Sequence, residues 1–239
     1  MVAIRGATGN ALWGAIALAA LSLAGIGVVR AQGADVGLIN QVAGDVSYAS
    51  SSGAGKVQAF MKVRSGDRFT LPAGTQLKVV YFQNGRQETW RGPAGLKSGP
   101  EQSEPLAGAA YEVVTLPVGV AQKIQKIPNL IQMAKMGGMQ VREVAKLGGI
   151  QVRGAAAKPR PSPEQQADVA AARTTYAQLR KQAAQDDITP EFYLFTVLQE
   201  YLLYDEMKAA ADEMLRRQPG NVEAQQLAEW AGERSQPSR

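Results

Sequence analysis

The chain reads as an α+β protein: an N-terminal antiparallel β-sandwich or barrel-like sheet, followed by a C-terminal α-helical hairpin bundle. Three observations predict this. Period-2 apolar runs separated by glycine turns fill residues 36–96. Three prolines between Pro159 and Pro163 interrupt the chain where neither a helix nor a central strand can continue. Beyond them, helix-start signals recur at Ser162, Thr189 and Asn221, each ahead of apolar residues at helical spacing. The predicted organisation is a leader over 1–31, a β domain over 32–118, a basic connector over 119–163 and a helical tail over 164–235.

The leader contains Arg5 and Arg30 but no acidic residue, and Ala11 to Val29 is uncharged and rich in Ala, Leu, Gly and Ile. A basic start, an apolar core and small residues before a break form the secretory pattern; Val29-Arg30-Ala31 fits a cleavage site. The alternative is an uncleaved anchor, since this run would span ~28 Å as a helix. Gly14, Gly25 and Gly27 weaken that helix. The expected location is the periplasm, either free or tethered to the inner membrane by residues 11–29. With no cysteine in the chain, no lipid-modified cysteine can serve as an anchor and no wrong disulfide can form in an oxidising compartment.

In the β domain, Val42, Val46 and Tyr48 surround Gly44-Asp45, and Val57, Phe60 and Val63 precede Ser65-Gly66-Asp67. Ser50 to Gly55 is expected as a flexible loop, while Gly92-Pro93-Ala94-Gly95 and Ser98-Gly99-Pro100 read as turns. Leu77, Val79 and Tyr81 alternate with Lys78 and Val80 and run into Asn84-Gly85, the pair that suits a two-residue type I′ hairpin. Gln87, Thr89 and Arg91 alternate with Glu88 and Trp90 on the return. Strands this short do not suit a transmembrane barrel.

These segments resemble the FecR-like domain. Gln41-Val42-Ala43-Gly44-Asp45-Val46 is similar to its "v-x-G-x-V" opening. Val63-Arg64-Ser65-Gly66-Asp67-Arg68-Phe69 carries its central "GD", and Leu77 to Gly85 its "a-x-l-x-f-x-[DN]-G". Trp90-Arg91-Gly92-Pro93-Ala94 is similar to the "l-x-G-P-A" tail of periplasmic members. The likeness covers residues 36–100 and implies an exported β module for envelope signalling or protein contact, without an enzymatic centre. About ten residues precede the apolar stretch, so the cytoplasmic segment of the transmembrane regulators is not expected. A stand-alone periplasmic user of the module is.

The connector is the basic part of the chain. Residues 111–160 hold eight basic and two acidic groups, whereas 161–239 hold eight and thirteen. One reading is that the two segments neutralise each other; the other is that the basic one faces an anionic partner. Lys135-Met136-Gly137-Gly138-Met139-Gln140-Val141-Arg142 returns as Lys146-Leu147-Gly148-Gly149-Ile150-Gln151-Val152-Arg153. The paired glycines are expected to interrupt any helix, leaving short strands or turns, after a short helix that opens near Pro128. Candidate anion contacts are Lys123, Lys126, Lys135, Arg142, Lys146 and Arg153. No phosphate-loop spacing is present, and residues 112–160 lack the aromatics that nucleic-acid stacking needs.

The tail opens at Ser162-Pro163-Glu164, with an N-cap serine and N1 proline. Thr189-Pro190-Glu191 starts a second helix whose apolar stripe is Phe192, Phe195, Leu198, Tyr201 and Leu202. Asp205 is expected to cap a third helix and Asn221 a fourth. Ile188 to Asn221 resembles one degenerate tetratricopeptide repeat, with Leu194, Leu198, the Tyr204-to-Met207 turn and Pro219-Gly220-Asn221 in place. Phe195 and Met207 depart from it, because that family packs small residues there.

Several function classes fall on composition. With no His and no Cys, no Ser-His-Asp triad, Cys nucleophile, haem His ligation or Cys/His zinc site can form. Asp186-Asp187 read as helix-entrance acids, and Glu200, Asp205, Glu206, Asp212 and Glu213 as solvated faces. No dense calcium loop is present. The chain is therefore expected to be non-catalytic and without cofactor, metal, nucleic acid or small-molecule substrate. Its expected role is a periplasmic adaptor or scaffold that binds a periplasmic or membrane-associated protein. The alternative is binding of an anionic envelope polymer or lipid head groups through residues 123–160.

Overall fold

A computed structural model describes residues 34–108, 111–146 and 162–235. The predicted leader, the second copy of the repeat beyond Lys146 and Arg153 lie outside the described residues. The strands are β1 (Asp35–Ala43), β2 (Ser47–Ser50), β3 (Gly53–Lys56), β4 (Lys62–Arg64) and β5 (Arg68–Leu71). After them come β6 (Gln76–Tyr81), β7 (Arg86–Arg91), β8 (Ala94–Ser98), β9 (Ser103–Gly108) and β10 (Glu112–Thr115). The helices are α1 (Val118–Ile124), α2 (Ile127–Lys146), α3 (Pro163–Gln182), α4 (Thr189–Glu200), α5 (Tyr204–Arg217) and α6 (Val222–Ser235). The architecture is α+β, as the sequence predicts.

Two five-stranded antiparallel sheets form, in the orders β10-β7-β6-β1-β4 and β3-β2-β5-β8-β9. Between them Ile39, Leu77, Val79, Tyr81 and Trp90 of the first pack with Phe69, Leu71 and Leu96 of the second. Each such side chain contributes about 1.5–3 kcal/mol by leaving water. The other face of the first sheet sends Leu38, Val80 and Phe82 into a core shared with the helices. That sheet is thus a middle layer. Leu77 to Tyr81 are buried without a break because both faces are covered, which explains why the polar positions of β6 and β7 do not stay wet.

The Gly66-Asp67 pair acts as a structural turn. Gly66 N–H donates to Ser98 O at 2.7 Å, Ser98 N–H to Asp67 O at 2.8 Å, and Arg64 N–H to the Asp67 carboxylate at 2.8 Å. Burial pushes the Asp67 carboxyl above its usual range.

Helices start at all three predicted places, near Ser162, Thr189 and Asn221, and a side chain caps the first and the third. Ser162 and Gln165 form a reciprocal capping box at α3, and the Asn221 side-chain Oδ1 accepts from Ala224 N–H at 2.9 Å at α6. α4 is the central helix, with nine buried residues from Thr189 through Leu198, since α1, α3, α5 and the first sheet surround it. The described residues from Ala34 onward form one compact unit, so the β and helical parts are layers of a single body.

Several expectations are corrected. Ser50 to Gly55 is a hairpin tip and the start of β3, because Ser47 to Ser50 pair with Gly53 to Lys56 in antiparallel register. The β6–β7 connection has four residues, Phe82 to Gly85, and only Gly85 takes a positive φ (68°). The Asn84 side chain instead accepts from Arg86 N–H and donates to Glu101 O, both at 3.0 Å, which holds it out of the left-handed region.

Among its described residues the basic connector is largely helical. The first repeat copy lies inside α2, where Ile127, Leu130, Ile131 and Ala134 form a buried stripe that carries the helix into Gly137-Gly138. Two glycines cost about 1 kcal/mol each against Ala, too little to end a helix anchored by packing. Leu203, not Asp205, is the N-cap of α5; Asp205 sits in its first turn. Leu202 leaves the apolar stripe. It is 42% exposed at φ 57°, in the left-handed position of a Schellman turn where Leu203 N–H bonds Leu198 O at 3.1 Å.

Candidate functional site

Three surfaces compete for function. The first is the cation set read from the sequence. Lys123 and Lys126 both bind the Glu200 carboxylate, at 2.5 and 2.6 Å. Partial burial acts to raise the pKa of Glu200, but the two ammonium groups outweigh it and hold the carboxyl below its usual range. Glu200 is therefore a tie to the tail and not a freely solvated acid. Lys135 is exposed on α2 with no ion pair among the described residues. Arg142 and Lys146 belong to the backbone of α2, but their side chains, like Arg153, lie outside the described residues. The structure brings two of the six cations together.

The second surface is the outer face of the second sheet. Ser47, Ala49, Arg68 and Thr70 are exposed there, in an open groove of about 1220 Å³ that Leu106 also lines. Across the strands Ala49 faces Arg68, Arg68 faces Lys97 and Lys97 faces Glu104. Lys97 pairs with Glu104 at 3.1 Å, whereas the Arg68 guanidinium has no partner among the described residues. Leu106 is 54% exposed beside the β8–β9 bulge. Small side chains give this face a low relief around the exposed Arg68.

The third is internal. Lys78 on β6, Gln87 on β7 and Asn40 on β1 meet Asp187 and Thr189 at the entrance of α4. Lys78 Nζ donates to Asp187 Oδ2 at 2.8 Å and Gln87 Nε2 to the same oxygen at 3.2 Å. Asp187 Oδ1 accepts from Thr189 N–H at 2.8 Å and from the Thr189 hydroxyl, which itself accepts from Asn40 Nδ2. Burial acts to raise the Asp187 pKa; the charge and hydrogen bond of Lys78, with the two Thr189 donors, reverse this and leave it lowered. Beside the pair lies a cavity of about 180 Å³ with Lys78, Gln87 and Thr89 on its sheet side and Val114, Leu179 and Pro190 around them.

Two further buried carboxylates act as ties, one within the helical layer and one between the two sheets. Glu191 of α4 is reached by Arg180 of α3 at 3.1 Å, Arg217 of α5 at 3.0 Å and the Tyr176 hydroxyl at 3.2 Å. Glu88 accepts from Arg86 Nε at 2.6 Å, Trp90 Nε1 at 3.0 Å and Ser103 N–H at 3.2 Å. Nothing in the sequence marked Lys78, Glu88 or Glu191 as buried ionic groups, since each sits in an alternating or helical pattern as a surface residue would. Only Asp187 was singled out, as a dipole partner of α4; it is that and a sheet–helix tie. Among the described residues no cluster of acids could hold a metal, and no helix is long and apolar enough to cross a membrane.

Geometry thus defines a three-layer sandwich: a helical layer, a covered sheet and an open sheet. Compared with protein-family models, curated proteins and solved structures, the chain matches none.

Proposed function

We propose that the chain acts outside the cytoplasm as a non-catalytic adaptor or scaffold. Its FecR-like β module, residues 36–100, docks on a periplasmic or membrane-associated protein in envelope signalling or assembly, and its tetratricopeptide-like tail braces that module. The observation that carries this reading is the uncovered outer face of the second sheet, where Arg68 and Leu106 stand free in a broad groove. In the first sheet the helices cover β1 and β6, and exposure is greatest at the edge strand β10. The engagement of Glu88, Asp187 and Glu191 by several donors each fits a holding role better than proton transfer.

A photo-cross-linking residue at Thr70 tests this in cells. An adduct with an envelope protein is expected there and none from Gln225 on the exposed side of α6. No adduct at Thr70, or recovery of the full-length chain as a soluble cytosolic protein, would overturn the reading. The engagement of Lys123 and Lys126 by Glu200 weighs against the alternative, an anionic polymer or lipid surface bound through residues 123–160. Loss of envelope association on replacing Lys123, Lys126, Lys135, Arg142, Lys146 and Arg153 together by Ser would favour that alternative.

A further inference from the structure

Among the described residues the two sheets have four edge strands, β4 and β10 in the first and β3 and β9 in the second. Three of them carry devices that discourage a further strand. β4 has three residues, Lys62 and Arg64 among them, and its register to β1 shifts. β3 holds Gly53, Gly55 and Lys56, and β9 holds Pro105 beside a bulge. Short length, lysine, proline and bulges all protect an edge from pairing. β10 has none of these. It reads Glu112-Val113-Val114-Thr115, pairs with β7 in unbroken register, and leaves Val113 and Val114 42% and 46% exposed. Its outer backbone groups can be identified. Leu116 N–H donates to Gly85 O at 2.8 Å, one rung beyond Thr115 and Arg86. Inward and outward rungs alternate along an antiparallel strand, so Leu116, Val114 and Glu112 turn toward β7 while Val113 and Thr115 turn outward.

Symmetry and charge select the occupant. In a two-fold antiparallel pairing of β10 with β10 of a second copy, facing residues must share a sheet face, which puts a single residue on the axis. With Val114 there, each Val113 exchanges its two outward bonds with the other copy's Thr115. Val114 then meets Val114 in the close, non-hydrogen-bonded position. Each Glu112 stays beside its own Arg91, 2.6 Å away, and faces Leu116 of the other copy. The two glutamates end about 14 Å apart along the strands. With Val113 on the axis they would instead be diagonal neighbours about 7–8 Å apart, which like charges oppose. We propose that β10 is the contact of a symmetric dimer of this chain, in which two first sheets join edge to edge with Val114 on the two-fold axis. Four residues a side make a small contact, so the dimer is weak and forms with rising concentration. It leaves the outer face of the second sheet untouched and does not depend on the docking role proposed there.

The chain has no cysteine of its own, so a single introduced thiol reports the register. Under oxidised glutathione the full-length Val114→Cys chain is expected to form a disulfide-linked dimer, because facing non-hydrogen-bonded residues place their Cα atoms about 4.5 Å apart. Glu112→Cys, about 14 Å from its counterpart, should cross-link at least about tenfold more slowly. Sedimentation equilibrium of the unaltered full chain should show monomer and dimer in exchange. Val114→Lys and Val114→Glu each set like charges on the axis and should weaken association at least about tenfold, and mixing the two should restore it. Val114 is half-exposed, so neither substitution opens the core. A chain that is monomeric at every concentration, even one that takes up a foreign valine-rich peptide along β10, would overturn the proposal. So would equal cross-linking of the two cysteine variants, or a mixture of the charged variants that associates no better than either alone.

Discussion

Lys78 Nζ lies 2.8 Å from Asp187 Oδ2, across 109 positions of sequence. It is the point where the middle sheet meets the entrance of the central helix. Gln41, one strand away, donates to the neighbouring Asp186 at 2.9 Å, so the α3–α4 turn is fastened to the sheet twice.

Removing one partner of that pair should cost more than removing both. Lys78→Met leaves a buried carboxylate unpaired and should destabilise by about 3–5 kcal/mol, while Lys78→Met with Asp187→Leu should recover much of the loss. Urea unfolding followed by far-UV circular dichroism measures both. A double variant no better than the single would show that the pair is not the origin of the effect.

The same pair predicts a pH dependence. The Asp187 pKa is lowered below 3.8, so its contribution is complete above the ordinary carboxylate range and is lost as pH falls through the folded value. In Lys78→Met the charge and hydrogen bond of Lys78 are gone and only the Thr189 donors still oppose burial, so the Asp187 pKa rises from its wild-type position and less stability depends on its ionisation. The gap between the two proteins should be widest near pH 7 and narrow below about pH 4. A gap constant from neutral to acid pH would contradict this.

Leu202 offers a test in the stabilising direction. It holds φ 57° while 42% exposed, and a left-handed non-glycine residue costs about 1–2 kcal/mol. Leu202→Gly should therefore raise stability by about 1 kcal/mol in thermal or urea unfolding. The opposite sign holds at Gly85, where a Cβ would lie 2.2 Å from Leu116 O at φ 68°, so Gly85→Ala should destabilise.

Phe60, in the β3–β4 connection, meets Phe192 of α4 edge to face, with ring centroids 4.6 Å apart and planes at 71°. Phe192→Ala should cost about 3–5 kcal/mol. A double-mutant cycle with Phe60→Ala should return a coupling of about 0.5–1.5 kcal/mol. Additive losses would mean that each ring packs independently.

Glu191 stands at the centre of the helical layer, fully buried between Arg180 and Arg217. Glu191→Ala leaves Arg180 without a carboxylate and Arg217 with Glu213 alone, and should lower stability by about 3–5 kcal/mol, with Glu191→Gln intermediate. Calorimetry that found the two variants alike would remove the ionic account.

Local order was readable in the sequence where it depends on neighbours along the chain. The alternation of Leu77, Val79 and Tyr81 marked a strand, and Ser162-Pro163 and Asn221 marked helix starts, because caps and pleats are set within a few residues. Asn84-Gly85 and Gly137-Gly138 misled for one reason. Each was judged by its own backbone preference, while Asn84 found partners in Arg86 and Glu101 and the second pair lay on a helix already anchored by Ile127 to Ala134.

The class of fold, an antiparallel sheet region followed by helices, is written in the chain's pattern and punctuation, which are local properties. Tertiary structure alone decided which sheet face is spent and which is open. It also turned Lys78, Glu88 and Glu191, surface-like in their patterns, into buried ties. Burial of a charge is settled by what arrives from a distant part of the chain to neutralise it. No window of neighbouring residues contains that partner.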